Sequence, residues 1–195
     1  RHYSPGQVAL SSSGVELTVS PVSASNTTRV PVAGVYAKAY DWGFGSYHLQ
    51  AEVTSIVGTV SAFFVYGSST SAAVMEYVSK PNWGNGSQFI RDTVAPQIYD
   101  TKGRIEVYIH VQLTPCFDSC RAQTVHNWGF SWRPASVTYG LDNTYSTKLT
   151  TNVPQTPGLV AFSSWSDGNP NYSQGPPKSN ATFTVEQLWV VHNAT

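Results

Sequence analysis

The sequence predicts an all-β protein built from two packed antiparallel sheets. Three observations predict it. Short runs of β-branched and aromatic residues recur along the chain, separated by Gly, Pro, Asn and Ser. No run keeps an i, i+3, i+4, i+7 apolar stripe beyond two turns, so almost no helix is expected. No linker, internal repeat or composition break divides the 195 residues. That length suits one sizeable core, and a single domain over 1–195 is expected.

The elements follow in order. "GVELTVSPV" (14–22) alternates apolar and polar residues, as a half-buried strand does. "GSYHLQAEVTS" (45–55), "GTVSAFFVYG" (58–67) and "AAVMEYVSK" (72–80) are three further short strands rich in β-branched and aromatic residues. "RIEVYIHVQL" (104–113), "NWGFSWRPASVTYGL" (127–141) and "TFTVEQLWVV" (182–191) complete the set. "SKPNWGNGS" (79–87) and "SDGNPNYSQGPPKSN" (166–180) are long, turn-rich loops. Trp132 and Trp189 lie inside strands and are read as core. Trp42, Trp83 and Trp165 sit beside Gly, Asn and Asp in loops, where binding residues concentrate, and are candidate sugar-stacking residues.

Composition narrows the function. Charged residues make up 11% of the chain, eleven basic against eleven acidic. Such a balance gives no electrostatic footprint for nucleic acid or an anionic membrane. No apolar run reaches the roughly 18 residues of a membrane span. Aromatics reach 13%, with six Trp and eleven Tyr. Aromatic faces stack on sugar rings, and Asn, Gln, Asp and Glu pair with sugar hydroxyls. Five acceptor sequons occur, at Asn26, Asn85, Asn171, Asn180 and Asn193. With the low charge they point to a secreted, extracellular glycoprotein, and Arg1 is read as a terminus left by signal-peptide removal. The two cysteines, Cys116 and Cys120 in "PCFDSC", suit a small loop disulfide in an oxidising compartment. A metal site would want a second Cys or His pair, and none accompanies them.

Several segments carry a resemblance. "WGFGSYHLQAEV", "GTVSAFFVYGSS", "VHNWGFSWRPASVTYGLDN" and "PGLVAFSSWSDGNPNYSQGPP" with "FTVEQLWV" occur in an order that resembles glycoside hydrolase family 16. These are the laminarinase- and lichenase-like enzymes, and the last segment is similar to fungal members. The resemblance implies a concanavalin-like jelly roll with a concave groove for a polysaccharide or oligosaccharide, a β-glucan or related cell-wall polymer. The family signature is Glu-x-Asp-x-Glu on one strand, all three acids on one face because side chains alternate. The first acid is the nucleophile, the last the acid/base, and retaining hydrolysis needs both.

Laid on "AAVMEY", the signature falls on Ala72, Val74 and Glu76. Two acids are replaced, and Glu76 alone stands at the acid/base position. The nearest other carboxylates along the chain, Glu52 and Asp92, lie off this strand. A further change replaces the family's Glu-x-Arg-x-Lys by His48, Gln50 and Glu52. By the resemblance, those positions belong on the groove face beside Glu76. A polysaccharide-binding protein without retaining hydrolysis is therefore expected. Two alternatives stand beside it. One is an altered enzyme, either a hydrolase using Glu76 or a lyase in which His48 and a tyrosine abstract a proton while Gln50 or Arg91 neutralises a uronate. The other is a structural or partner-binding surface glycoprotein. Gln50 and Arg91 join Trp42, Trp83 and Trp165 as candidate sugar contacts. His126 is read as structural, His110 as buried and satisfied, and His2 and His192 as terminal. A monomer without cofactor is expected. The family's structural Ca²⁺ is possible, but no ligand set for it is readable.

Overall fold

The computed structural model describes residues 1–22, 29–79, 89–97, 108–112, 124–169 and 172–193, with side chains not described at 89 and 108–112. Asn26, Trp83, Asn85, Cys116, Cys120 and Asn171 lie outside the described residues, as does the side chain of His110. In chain order the strands are β1 (His2–Tyr3), β2 (Val8–Ser11), β3 (Gly14–Val19), β4 (Pro31–Tyr36), β5 (Gly45–Glu52), β6 (Val60–Ser68) and β7 (Ser71–Val78). They continue with β8 (Phe89–Ala95), β9 (Tyr108–Gln112), β10 (Val125–Arg133), β11 (Ser136–Leu141), β12 (Thr144–Leu149), β13 (Leu159–Trp165) and β14 (Ala181–His192). One 3-10 turn at Pro5–Gln7 is the only helical piece among the described residues.

Two seven-stranded sheets result. The first runs β1-β4-β13-β6-β7-β8-β9 and the second β12-β11-β10-β5-β14-β3-β2. The expected sandwich is therefore present. The 127–141 run is two strands, β10 and β11, joined at Pro134–Ala135, because proline cannot donate to a ladder and closes the hairpin. Strands β4, β8, β12 and β13 had no alternation to announce them. In β13 all seven residues are buried, so it shows no polar face at all.

The core lies between the sheets, and strict alternation builds it. In β5, Tyr47, Leu49 and Ala51 point inward; in β7, Ala73, Met75 and Tyr77 do so. Trp128, Phe130 and Trp132 of β10 and Val137 and Tyr139 of β11 lie beside the β5 residues in the second sheet and face those of β7. Tyr47 stacks on Phe130 at 4.8 Å, and Phe63 packs on the same ring at 5.2 Å. Trp132 is core as expected, its indole N–H donating to the Pro154 carbonyl at 2.9 Å. Trp189 is not: 38% of it is exposed, on the outward face of the second sheet. His126 is structural, its Nδ1 2.7 Å from Asp142 Oδ2.

One core position is unusual. Asp92 of β8 is fully buried on the inward face. Desolvation pushes its pKa well above the carboxylate range, offset in part by the Thr147 side chain. The folded chain thus holds a proton that the unfolded chain releases from about pH 4 upward. Stability should fall as pH rises above that point and reach its floor above the raised folded value. Asp92→Asn should remove this dependence and raise the melting temperature at neutral pH relative to the parent. Thermal melts of the two proteins between pH 4 and 8 check it; parallel curves would show that Asp92 is ionised in the fold.

Candidate functional site

The site is built on the outward face of the first sheet. Because Ala73, Met75 and Tyr77 point into the core, Ala72, Val74 and Glu76 point out. Cross-strand register then sets their neighbours. Glu76 lies between Ala62 of β6 and Arg91 of β8. Val74 lies between Phe64 and Thr93, and Ala72 between Tyr66 and Ala95. Small and apolar side chains leave space there. A cavity of about 400 Å³ is lined by Tyr66, Ala72, Val74, Thr93 and Ala95. A second hollow, of about 670 Å³, lies over β1 and β4 beside Tyr3, Gly34 and Tyr36. Tyr3, Tyr36 and Phe64 form an edge-to-face series, with centroids 6.1 and 6.4 Å apart. Tyr3, Tyr36 and Tyr66 are each more than two-fifths exposed. They are open aromatic surface on the same face as Glu76.

Glu76 is held by the 166–180 loop. The Tyr172 hydroxyl donates to Glu76 Oε2 at 2.6 Å. The Tyr172 ring stacks on Trp165 at 5.8 Å and 7°, and the Arg91 guanidinium lies 4.7 Å from its centroid. The Arg1 guanidinium covers Trp165 at 3.5 Å. Asp167 anchors the loop: its Oδ1 accepts the Ser173 hydroxyl at 2.6 Å and the Asn169 N–H at 3.0 Å. Glu76 keeps part of its surface open yet is closely surrounded by protein. Desolvation pushes its pKa up, and Asp167 adds to that; the Tyr172 hydrogen bond and the charges of Arg91 and Arg1 pull it back without cancelling the rise. Asp167 goes the other way. Burial would raise it, but the Ser173 and Asn169 donors and Arg1 outweigh that and hold it low.

The expected site residues divide. Arg91 lies beside Glu76 and is 4% exposed. Trp165 is near Glu76 but is no open sugar platform. It is 6% exposed, with Tyr172 and Arg1 on its ring, and acts by holding Tyr172 in place. Trp42 is half-buried against the core, its ring 4.7 Å from that of His192 and its backbone bridged to Gly158. The main correction concerns β5. His48 and Gln50 do not flank Glu76. Strand β5 pairs with β10 and β14 in the second sheet, and its inward residues are Tyr47, Leu49 and Ala51. His48 and Gln50 therefore face outward on the opposite side of the sandwich, and the arrangement gives no His48 chemistry beside Glu76. Tyr172 was missed. Its only signal in the sequence is an aromatic in the long loop that ends the family-like segment. Among the described residues no group of three or more His, Cys, Asp or Glu could hold a metal. No helix there is long and apolar enough to cross a membrane.

No family model matches the chain. Its sequence is 29% identical to a β-glucanase of Bacillus licheniformis over 126 residues, which cover 64% of this chain and 47% of that protein. It is 26% identical to a β-glucanase of Paenibacillus polymyxa over 163 residues, 83% of this chain and 64% of that protein. The chain thus spans between about half and two-thirds of the length of these relatives. The fold of a prokaryotic β-1,3-1,4-glucanase (lichenase) from a mouse hindgut metagenome superposes with a TM-score of 0.72 at 17% identity, covering 99% of this chain and 86% of that one. The two-sheet jelly roll is thus the fold of this lichenase. Sequence similarity and shared fold together support a relationship to the family 16 glycoside hydrolases.

Removing the Tyr172 hydroxyl should raise the Glu76 pKa further, because the bond it makes favours the charged form. Tyr172→Phe should shift the Glu76 midpoint upward in a ¹³C-carboxyl NMR titration. Above that midpoint the variant should be about 1–3 kcal/mol less stable, and the deficit should shrink at lower pH. An unmoved midpoint would detach Tyr172 from the carboxyl.

Proposed function

We propose that the chain binds a β-glucan or related cell-wall polysaccharide on the outward face of the first sheet and does not hydrolyse it by a retaining route. The position of Ala72 and Val74 carries this reading. They stand on the strand and face of Glu76, where two partner carboxylates would be needed, and the cavity above them is lined by apolar, hydroxyl and amide groups with no carboxylate. A retaining displacement needs a nucleophile there, and a methyl group offers none. What the face does offer is binding chemistry. Tyr3, Tyr36 and Tyr66 present aromatic surface, and Thr93 and Glu76 present polar groups around it. The similarity to β-glucanases supports the polymer class. Secretion and glycosylation belong to the same reading; Asn180 and Asn193 are both exposed.

A second reading rests on one observation. The surroundings drive Glu76 and Asp167 in opposite directions, Glu76 toward holding its proton and Asp167 toward losing it. Opposed shifts of this kind are one requirement of an acid and base pair. Protonated Glu76 could donate to a leaving oxygen while Asp167 activates a water, which would be an inverting hydrolysis.

A product assay separates the two. The protein is incubated with soluble β-1,3-1,4-glucan, β-1,3-glucan and a uronic polymer, and new chain ends are read by mass spectrometry. Binding with a dissociation constant in the micromolar to millimolar range, about −8 to −4 kcal/mol, and no new ends is expected. Tyr66→Ala should weaken that binding. Products carrying one added water, lost in both Glu76→Gln and Asp167→Asn, would overturn the binding reading in favour of the second. Unsaturated products would overturn both.

A further inference from the structure

His48 and Gln50 lie on a face that the proposed groove does not use. One row across the second sheet runs Trp189 of β14, His48 of β5, Gly129 of β10, Gly140 of β11 and Tyr145 of β12. The two glycines decide how the tyrosine sits. A Cβ on Gly140 would lie 2.9 Å from Tyr145 Cγ. A Cβ on Gly129 would lie 2.8 Å from the Tyr145 hydroxyl oxygen and 3.0 Å from His48 Nδ1. The Tyr145 ring therefore lies down over two neighbouring strands, and its hydroxyl ends beside the imidazole. Only side-chain-free positions allow that.

The histidine stands against this floor. Its ring meets Tyr145 at 6.4 Å and 81°, and on its other side it stacks on Trp189 at 5.0 Å and 3°. The result is a corner with a tyrosine floor and a histidine wall backed by tryptophan. Tyr145 is 42% exposed and Trp189 38%. The tryptophan is open because of a register shift between Val185 and Gln187. Pairing of β14 with β3 runs only as far as Val185, while pairing with β5 continues to His192. Burial pushes the His48 pKa down, partly offset by Asn127, so the wall is a neutral aromatic at pH 7.

The rows on either side are polar over β5 and β10; the row of Ser46 ends in Val191 on β14 and Lys148 on β12. One carries Ser46, Ser131 and Thr138; the other carries Gln187, Gln50 and Asn127. An aromatic strip between hydroxyl and amide rows matches one ligand chemistry well. A pyranose ring presents an apolar C–H face to an aromatic ring and hydroxyls at its edges. A tyrosine already fixed by its glycines loses little conformational freedom on contact. Five strands about 4.8 Å apart span a strip of about 19 Å, room for several sugar rings.

We propose that this face is a second carbohydrate-binding surface, for a neutral polysaccharide chain laid on Tyr145 against His48, with the amide and hydroxyl rows pairing its hydroxyls. The site is on the opposite side of the sandwich from Glu76. It does not need the groove to bind or to cut.

The test is migration of the intact protein through native gels containing soluble β-1,3-1,4-glucan, β-1,3-glucan or, as a charged control, a uronic polymer. Circular dichroism melts confirm that each variant folds. Retardation by a neutral glucan is expected. Tyr145→Ala and Trp189→Ala should each weaken it, about tenfold for the tyrosine, and Tyr145→Phe should keep most of it. Gly129→Ala, which lifts the ring while leaving every aromatic present, should weaken it as Tyr145→Ala does. Tyr66→Ala, in the groove, should leave a component that Tyr145→Ala then removes. Failure of the groove reading shows as no effect of Tyr66→Ala, and leaves this proposal standing. Unchanged migration of Tyr145→Ala and Gly129→Ala overturns it, as does complete loss of binding in Tyr66→Ala. No retardation of the parent by either neutral glucan, or equal retardation by the uronic polymer, also overturns it.

Discussion

Side chains on β7 alternate, and the rest of the molecule is arranged around that constraint. Ala73, Met75 and Tyr77 must enter the core, so Ala72, Val74 and Glu76 must leave it. A shift by one residue would bury a carboxyl between two sheets and expose three apolar side chains. Pairing with β6 and β8 on both sides removes the freedom to slip. The outward position of the single acid, and of its two small apolar neighbours, is therefore a consequence of packing.

A carboxyl alone on such a face must find partners. Here the partners come from far away in the chain. Tyr172 supplies the hydrogen bond, Arg91 supplies charge from the next strand, and Trp165 supplies the flat surface on which Tyr172 rests. The loop is in turn tied down through Asp167, Ser173 and Asn169. This is a well-supported position for a group that, in the family's retaining chemistry, would work with a nucleophile two strand repeats away. Support of this quality keeps Glu76 in place whether it donates a proton or a hydrogen bond.

The two outward faces solve different problems with similar materials. On the first sheet, Ala72 and Val74 leave depth, and Tyr66 stands beside it. On the second, Gly129 and Gly140 remove side chains so that Tyr145 can lie flat. One face is a recess on the strand that carries an acid, the other an aromatic platform flanked by hydroxyl and amide side chains. Both depend on alternation, since each outward row exists only because its neighbours on the strand fill the core.

Much of this was legible in the sequence. Period-two patterning in 45–55, 58–67 and 72–80 predicts the sandwich, and the segment order resembles family 16. Strand alternation alone places Ala72, Val74 and Glu76 on one face. Alternation also says that His48 and Gln50 share a face, but not which sheet that face belongs to. Only long-range pairing decided this: β5 joins β10 and β14, while β6, the next strand along, joins β7 and β13. The same cause hid Tyr172, whose partner is 96 residues away. It also misplaced Trp189, which reads as core until the register shift between Val185 and Gln187 turns it onto the outward row of His48. Local sequence determined which side chains go together. Tertiary pairing determined what each group faces, because strands distant in the chain must meet before a face has neighbours.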